Sequence, residues 1–175
     1  MKWQQLLINV YQRMSQDFEE VLNGLTVEEL HKRPTPGANP VGWLCWHATR
    51  SLDRTIGDVI QGEQLWIKEK WHARFGRSPD PNETGYGHTD AQVDSLKIPD
   101  IQTLLDYHHA VMKTTITYLE KLTEDELDRE CDFSAEPGAK RAVYLRLISN
   151  IHDAQHVGQA AYVRGLIKGH RWSSK

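Results

Sequence analysis

The sequence predicts an all-α protein in which four long helices pack as a bundle. Apolar residues recur every three or four positions through most of the chain, the spacing of a helix with one buried face. The strings "LTVEEL" and "LTEDEL" each carry a Thr-x-x-Glu helix start after a long helical segment. No segment alternates apolar and polar residues for long enough to predict a strand. Two similar helical hairpins of this kind form a four-helix bundle.

The first long helix is predicted over residues 3–22, followed by a short helix that Thr26 opens. The second long helix begins after "RPTPGANP", with Asn39 as N-cap and Pro40 as first residue. It runs to about Ile60, because Gly62 is a helix stop.

Residues 63–98 are less regular and rich in proline and glycine, apart from a short helix predicted after Thr89. A connection of this length inside a domain is often functional. The third long helix is predicted over about 99–122, and Thr123 opens another short helix. The fourth covers about 141–168.

Composition narrows the function classes. The 175 residues suffice for one domain spanning 1–175, and 39% hydrophobic with 26% charged residues predicts a packed core. A net charge of -3 argues against a nucleic-acid-binding protein. No apolar run approaches the roughly 20 residues of a membrane span, and the first residues do not resemble a signal peptide. Cys45 and Cys131, the only cysteines, lie far apart, so we predict a cytoplasmic protein without disulfides.

Two histidines in the fourth helix lie on what the pattern predicts to be its buried stripe. Within about 40° of the direction of Leu145, a helix places His152, His156, Gln159, Val163 and Ile167. Burying two imidazoles without partners would cost several kcal/mol, on the order of 2–7 for each polar group. Either a hydrogen-bonded polar core or a metal ion can satisfy them. The i, i+4 spacing favours the metal.

A catalytic metal site needs a third protein ligand and an open coordination position. His47 on the second helix is the candidate. It lies beside the main apolar stripe, near Leu44 and Ser51, so a surface position is the alternative. Trp43 and Trp46 make this end of the helix apolar nearly all round, which favours burial.

The segments "NPVGWLCWHATRSLDRT" and "IHDAQHVGQAAYVRGLIKG", with "GYGHT" between them, resemble the DinB/YfiT-like superfamily. Its members include bacillithiol S-transferases and the metal-binding domain of mycothiol-dependent maleylpyruvate isomerase. The resemblance implies an up-down-down-up four-helix bundle, often a homodimer, with a long connection between helices two and three. It implies a divalent ion on His47, His152 and His156, with water completing the shell. Zinc or nickel suits such ligands, and no DNA contact is implied.

The same resemblance implies transfer of a low-molecular-weight thiol to a small electrophile. Metal-assisted hydrolysis is the alternative among enzymes, and a non-enzymatic bundle with a structural ion or a polar histidine core is the alternative outside them. A zincin-type protease is disfavoured, because the sequence reads H-D-A-Q-H and Asp153 is predicted to be a solvated charge.

Residues around the ligands are further candidates. Gln159 or Asp53 can accept a hydrogen bond from a ligating histidine. His88 and Tyr86, in the long connection, can cover the metal, or "GYGHT" can be a turn that ends in the N-cap Thr89. Arg50 is a candidate for binding an anionic substrate, with an exposed helix arginine as the alternative.

Overall fold

The structure is a computed structural model that describes residues 2–136, 138–149 and 151–169. Along these ranges no helix is both long and apolar enough to cross a membrane. The helices are α1 Trp3–Leu22, α2 Val27–His31, α3 Val41–Ile60, α4 Leu65–Lys68, α5 Trp71–Arg74, α6 Asp90–Ser95, α7 Ile101–Lys121, α8 Glu124–Leu127, α9 Val143–Ser149 and α10 Ile151–Lys168. The strands are β1 Glu130–Asp132 and β2 Lys140–Ala142.

The four long helices α1, α3, α7 and α10 form the bundle. Helix α1 packs against α7 and α10, and α3 packs against the same two helices. Near the end of α10, Arg164 donates hydrogen bonds to the carbonyl oxygens of Val21 and Asn23 at the end of α1. Gln4, at the start of α1, donates to the carbonyl of Leu122, just after α7. Helix α1 is therefore parallel to α10 and antiparallel to α7.

The direction of α3 completes the topology. A Cβ atom on Gly42, at the start of α3, would lie 2.9 Å from Ile98, which lies shortly before the start of α7. Arg146 on α9 donates to Asp58 near the end of α3 at 2.9 Å. Helix α3 is thus parallel to α7 and antiparallel to the last helix. The predicted up-down-down-up bundle is confirmed.

The predicted helix starts are largely confirmed. Thr26, Thr89 and Thr123 each form a capping box with the residue three positions on. Helix α3 differs by one residue, because Pro40 is the N-cap and Asn39 lies outside the helix. Proline has no N–H to leave unpaired, so it fits either position at a helix start.

The long connection returns the chain from the end of α3 to its start and is tied to α3 by two buried side chains. Arg50 donates to the carbonyl of Glu83 at 2.9 Å. The two carboxylate oxygens of Asp53 accept from the backbone N–H groups of Leu65 and Trp66, each at 2.8 Å. The connection is therefore fixed against the bundle at both its beginning and its later part.

The region before the last helix departs from the all-α expectation. Strands β1 and β2 form an antiparallel hairpin in which Cys131 pairs with Arg141. Three-residue strands are too short to show the alternation by which a strand is recognised in a sequence. Helices α9 and α10 together cover the predicted fourth helix, and Asn150 between them lies outside the described residues.

The buried face of these two helices also differs from the predicted stripe. Leu145, which set the predicted direction, is 45% exposed, and His152 and Gln159 are exposed as well. The buried side chains are Val143, Arg146, Leu147, Asp153, Val157, Ala160, Ala161 and Val163. Arg146 turns inward because Thr55 and Asp58 on α3 accept its hydrogen bonds. The pattern of polar and apolar residues therefore predicts the wrong buried face for these helices.

Candidate metal centre

His47 on α3 is buried, with 5% of its surface exposed. Its Nδ1 atom donates a hydrogen bond to the backbone carbonyl of Thr84 in the long connection. Because a carbonyl can only accept, Nδ1 carries the proton and Nε2 keeps its lone pair. The ring of Trp43 stacks on the imidazole, with ring centroids 4.8 Å apart. His47 is thus held in the tautomer that a metal ligand needs.

His152 and His156 on α10 face His47 across the α3–α10 interface. Their Nε2 atoms lie 2.9 Å apart, and their rings are nearly perpendicular at 85°. The Nδ1 atom of His156 lies 2.8 Å from Oε1 of Gln159. With the amide oxygen as acceptor, Nδ1 is again the protonated nitrogen and Nε2 keeps the lone pair that an ion needs.

The ligand atoms that the three histidines can offer all lie within 4.8 Å of one another. An ion at zinc–nitrogen distances of about 2.0–2.1 Å needs nitrogens roughly 3–4 Å apart, so the histidines are close to the spacing of a metal site and need only a small movement to reach it. His47 closes the site from the core, whereas His152 is exposed and His156 is half-buried. The three-histidine cluster can bind a metal ion that stays accessible from one side.

Electrostatics keep the cluster in the ligand form. The pKa of His47 is lowered to about 4. Burial is the main cause, the hydrogen bond to the Thr84 carbonyl opposes the shift, and the charges of His156, His152 and Arg54 add to it. Burial also lowers the pKa of His152, with His156 as the next cause. Only neutral imidazole has the lone pair that a metal requires, so these shifts favour binding near neutral pH.

The loop over the cluster contains the predicted covering residues. His88 accepts a hydrogen bond from Trp43 Nε1 at 3.2 Å, and its Nε2 lies 3.1 Å from a carboxylate oxygen of Glu83. Both ring nitrogens are therefore engaged, and His88 supports the wall of the site. Tyr86 is 87% exposed, so it does not enclose the cluster. Thr89 is the N-cap of α6, so the loop serves both as a cover and as a helix start.

Comparison with known proteins places this architecture in a family. A sequence profile of the DinB superfamily matches residues 11–160. The chain belongs to the DinB superfamily. It is also similar to a solved structure described as "Crystal structure of the conserved protein of locus from Enterococcus faecalis". The two share 33% sequence identity and a TM-score of 0.84, and the match covers 97% of this chain and 99% of that one. No curated protein matches the chain.

Two of the predicted site residues of this DinB protein lie in a separate buried network. Arg50 is fully buried, where sequence reasoning left open an exposed arginine or an anion-binding one. It donates to Asp53 at 3.1 Å, to Gln64 at 2.9 Å and to the hydroxyl of Tyr107 at 3.1 Å. All the hydrogen bonds of the Asp53 carboxylate go to Arg50, to Tyr107 and to the backbone N–H groups after residue 64. These two residues hold the long connection, and no hydrogen bond joins either of them to a site histidine in the part of the chain that the structure describes.

Three other residues of the DinB site were not expected from the sequence. Thr84 acts through its backbone carbonyl, which no side-chain pattern reveals. Asp153, predicted to be solvated, is only 4% exposed, and burial raises its pKa well above the usual range while Ser51, Arg146 and Arg54 oppose the rise. Arg54 lies seven residues after His47, a spacing that puts both on one face of α3 and was available as a signal.

An open groove adjoins the cluster. It has a volume of about 710 Å³, and its walls come from the segment around Asn39, from Leu44 on α3 and from α10. Gln159, which contacts His156, forms part of the wall, and the exposed side chains of Tyr162 and Leu166 continue it. A small molecule with an apolar part can lie in this groove beside the histidines.

Proposed function

We propose that this DinB superfamily protein is a metal-dependent enzyme that transfers a low-molecular-weight thiol to a small electrophile. The observation that carries the proposal is the accessible side of the three-histidine cluster. His47 is buried, but His152 and His156 are not. A structural ion is normally enclosed by four protein ligands, whereas a catalytic one has three and an open position.

His88, the candidate for a fourth protein ligand, is not available to bind the ion. Both nitrogens of His88 are occupied by Trp43 and Glu83, and the cluster contains three potential ligands in the described residues. This supports an open position over a closed structural site. It also favours the enzyme over a polar histidine core, because a core would shield the ring nitrogens of His152 from solvent.

An ion held by three neutral imidazoles is a Lewis acid that can keep a small thiol in its nucleophilic thiolate form. The chain's own residues orient the ligands and provide space for the substrate. Thr84 and Gln159 fix two of the imidazoles, and the groove beside Gln159 offers space for the apolar part of an electrophile. Zinc and nickel both fit imidazole ligands.

The reacting thiol has to come from outside the chain. Cys45 is 1% exposed, and burial raises the pKa of its thiol. Cys131 is equally buried, and its thiol donates to the carbonyl of Arg141. Neither cysteine can act as a nucleophile at the cluster, which supports a separate small-molecule thiol. Both are free, in keeping with the reducing cytoplasm that we propose as the location.

Metal-assisted hydrolysis stays the second candidate among enzymes, since the same open position can activate water. The structure offers no hydrolytic base of the zincin type on α10, because Asp153 follows His152 but is turned into the core. The homodimer implied by the family is likewise a proposal. Exposed apolar side chains of Leu6 and Val10 on α1, and of Leu145 and Ile148 on α9, offer a surface for it.

The test combines metal content with thiol binding. We expect about one ion per chain in the wild type, a loss of the ion in His47→Ala and His152→Ala, and its retention in His88→Ala. In the cobalt(II)-loaded protein, added 2-mercaptoethanol should produce a sulfur-to-cobalt charge-transfer band, and the thiol should react faster with monochlorobimane than it does in solution. Loss of the ion in both ligand variants without any thiol band would leave a metal site but reject thiol transfer.

A further inference from the structure

The face of α3 that carries His47 continues into a cationic side chain. At 100° per residue, Ser51 lies about 40° and Arg54 about 20° from the direction of His47. Side chains on a helix lean toward its N-terminus, so Arg54 leans back toward Ser51 and His47. Arg54 is close enough to influence the pKa values of both His47 and His152.

Arg54 lacks the partners that neighbouring arginines have. Arg50 is paired with Asp53 at 3.1 Å, and Arg146 with Asp58 at 2.9 Å. Within the described ranges no ion pair includes Arg54, and its buried Nε atom has no hydrogen-bond partner.

Asp58 and Asp153 are the acidic neighbours of Arg54. Asp58 is paired with Arg146, and neither carboxylate oxygen of Asp153 accepts a hydrogen bond from the Arg54 guanidinium. A half-buried guanidinium beside the metal cluster is thus left without an acceptor.

We propose that Arg54 binds a carboxylate of the ligand that the three histidines receive, so that the substrate class is a small organic acid. The inference rests on the proposed function only in taking the cluster as the place where a ligand binds. Arginine presents its N–H groups as a planar fork that matches the two oxygens of a carboxylate.

The energetics of Arg54 favour such an anion. Burial lowers the pKa of the Arg54 side chain, and the nearby positive charges of Arg146 and Arg50 add to this effect. Its charged form is therefore held at a cost, which a bound carboxylate would offset. The Arg54 side chain is half-buried instead of fully enclosed, so an incoming anion can reach its exposed part.

The arrangement also divides the ligand into two parts. Leu44, one turn before His47, belongs to the apolar groove, whereas Arg54 lies two turns after it. A ligand that reaches the histidines can therefore place an apolar group on one side of the cluster and an anionic group on the other. The carboxylate can belong to the thiol or to the electrophile.

Binding to the cobalt(II)-loaded protein tests the inference without relying on activity. Two ligand pairs differ by a carboxylate: 2-mercaptoethanol with 3-mercaptopropionate, and acetohydroxamate with malonomonohydroxamate. We expect the wild type to bind at least one acid about tenfold more tightly than its neutral counterpart, as for one charge-assisted hydrogen-bonded pair. Arg54→Gln should lose that preference while it binds the neutral ligands unchanged, and Arg54→Lys should keep part of it. Arg13→Gln, an exposed arginine paired with Asp17, is the control.

The outcomes separate the two proposals. If thiols give no cobalt band but the hydroxamate pair shows the Arg54-dependent preference, thiol transfer fails and the anion site stands. If Arg54→Gln changes neither preference and only lowers the melting temperature, Arg54 is structural and the anion site is rejected. If neither thiol nor hydroxamate pair shows a preference, the KM of chloroacetate against chloroacetamide with 2-mercaptoethanol decides. An Arg54-dependent difference there assigns the carboxylate to the electrophile, and its absence overturns the inference.

Discussion

The Nδ1 atom of His156 lies 2.8 Å from Oε1 of Gln159, one turn further along α10. This hydrogen bond fixes both the rotation of the imidazole and the nitrogen that carries its proton. Gln159 also forms part of the wall of the groove, so one amide connects the candidate metal ligand to the candidate substrate space.

Replacing Gln159 should weaken metal binding without unfolding the protein. Leucine has similar size but cannot accept the proton of His156, and loss of such a partner typically costs about 10–100-fold in metal affinity. Competition with a chromophoric zinc chelator measures the affinity of Gln159→Leu. Gln155→Leu, also on the exposed side of α10, is the matched control and should bind as the wild type does. Equal affinities in the two variants would contradict the role of Gln159.

Gly85 should not tolerate a side chain. It has φ +90, and an added Cβ would lie 2.9 Å from Trp43 and 3.2 Å from Nδ1 of His47. Gly85→Ala should lower the free energy of unfolding by about 1–3 kcal/mol, from backbone strain and overpacking. It should also reduce metal affinity, because His47 must shift.

Gly87→Ala separates the two causes in that experiment. Gly87 also has a positive φ, +73, but an added Cβ would meet no atom within 4 Å. Urea unfolding should show a smaller loss for Gly87→Ala, and its metal affinity should be that of the wild type. If the two variants lose the same free energy of unfolding, the close packing of Gly85 against His47 does not contribute to stability.

His108 should make the metal-free protein less stable in acid. Burial lowers the pKa of His108 from 6.5 to about 3. Between these values the unfolded state binds a proton that the folded state does not, so the free energy of unfolding falls as pH falls. One such group contributes a slope of up to about 1.4 kcal/mol per pH unit. Urea unfolding in EDTA at pH 7, 5 and 4 should show a shallower slope in His108→Gln.

Thr49, next to His108, provides the control for this prediction. Thr49 Oγ1 is 3.4 Å from Nδ1 of His108, so Thr49→Ala disturbs the surroundings of His108 but keeps its titrating ring. This variant should lose some stability at every pH and retain the wild-type slope. A wild-type slope in His108→Gln would show that another group causes the acid sensitivity.

Arg50 should be essential to the fold and not to ligand binding. It is fully buried and pairs with Asp53, which is 4% exposed as a side chain. Arg50→Met would leave that carboxylate buried without its cation, a change that costs about 3–5 kcal/mol. Thermal unfolding measures the loss, and Arg74→Met, at an exposed arginine that lies over Trp71, should change the melting temperature little. A stable Arg50→Met with weakened ligand binding would revive the anion-binding role for this residue.

The bundle and the pair of His152 and His156 were predictable from residue patterns, whereas His47 was added to them by the resemblance to the DinB/YfiT-like superfamily. Helical spacing and Thr-x-x-Glu caps identify the long helices, and the spacing of His152 and His156 identifies a pair on one face. The buried face of α9 and α10 was not predictable, since it depends on the pairing of Arg146 on α9 with Asp58 on α3. Roles that use backbone atoms, such as the Thr84 carbonyl, leave no trace in residue types.

The placement of Arg50 and Asp53 shows a related limit. Both lie close to His47 in sequence, which made them candidates for the site. Their partners, Tyr107 and the backbone of the long connection, become neighbours only after the chain has folded. The positions of residues on a helix therefore indicate which of them share a face. They do not indicate which residues of other segments that face will contact.

The up-down-down-up topology determines when, during folding, the candidate metal centre can form. The ligands come from the second and the last long helices, and the Thr84 carbonyl comes from the connection that must first cross back along the bundle. A growing chain therefore has no complete cluster until its last helix docks, because two of the three histidines lie on that helix. An ion that binds the folded state and not the separated segments would make metal occupancy a measure of completed folding.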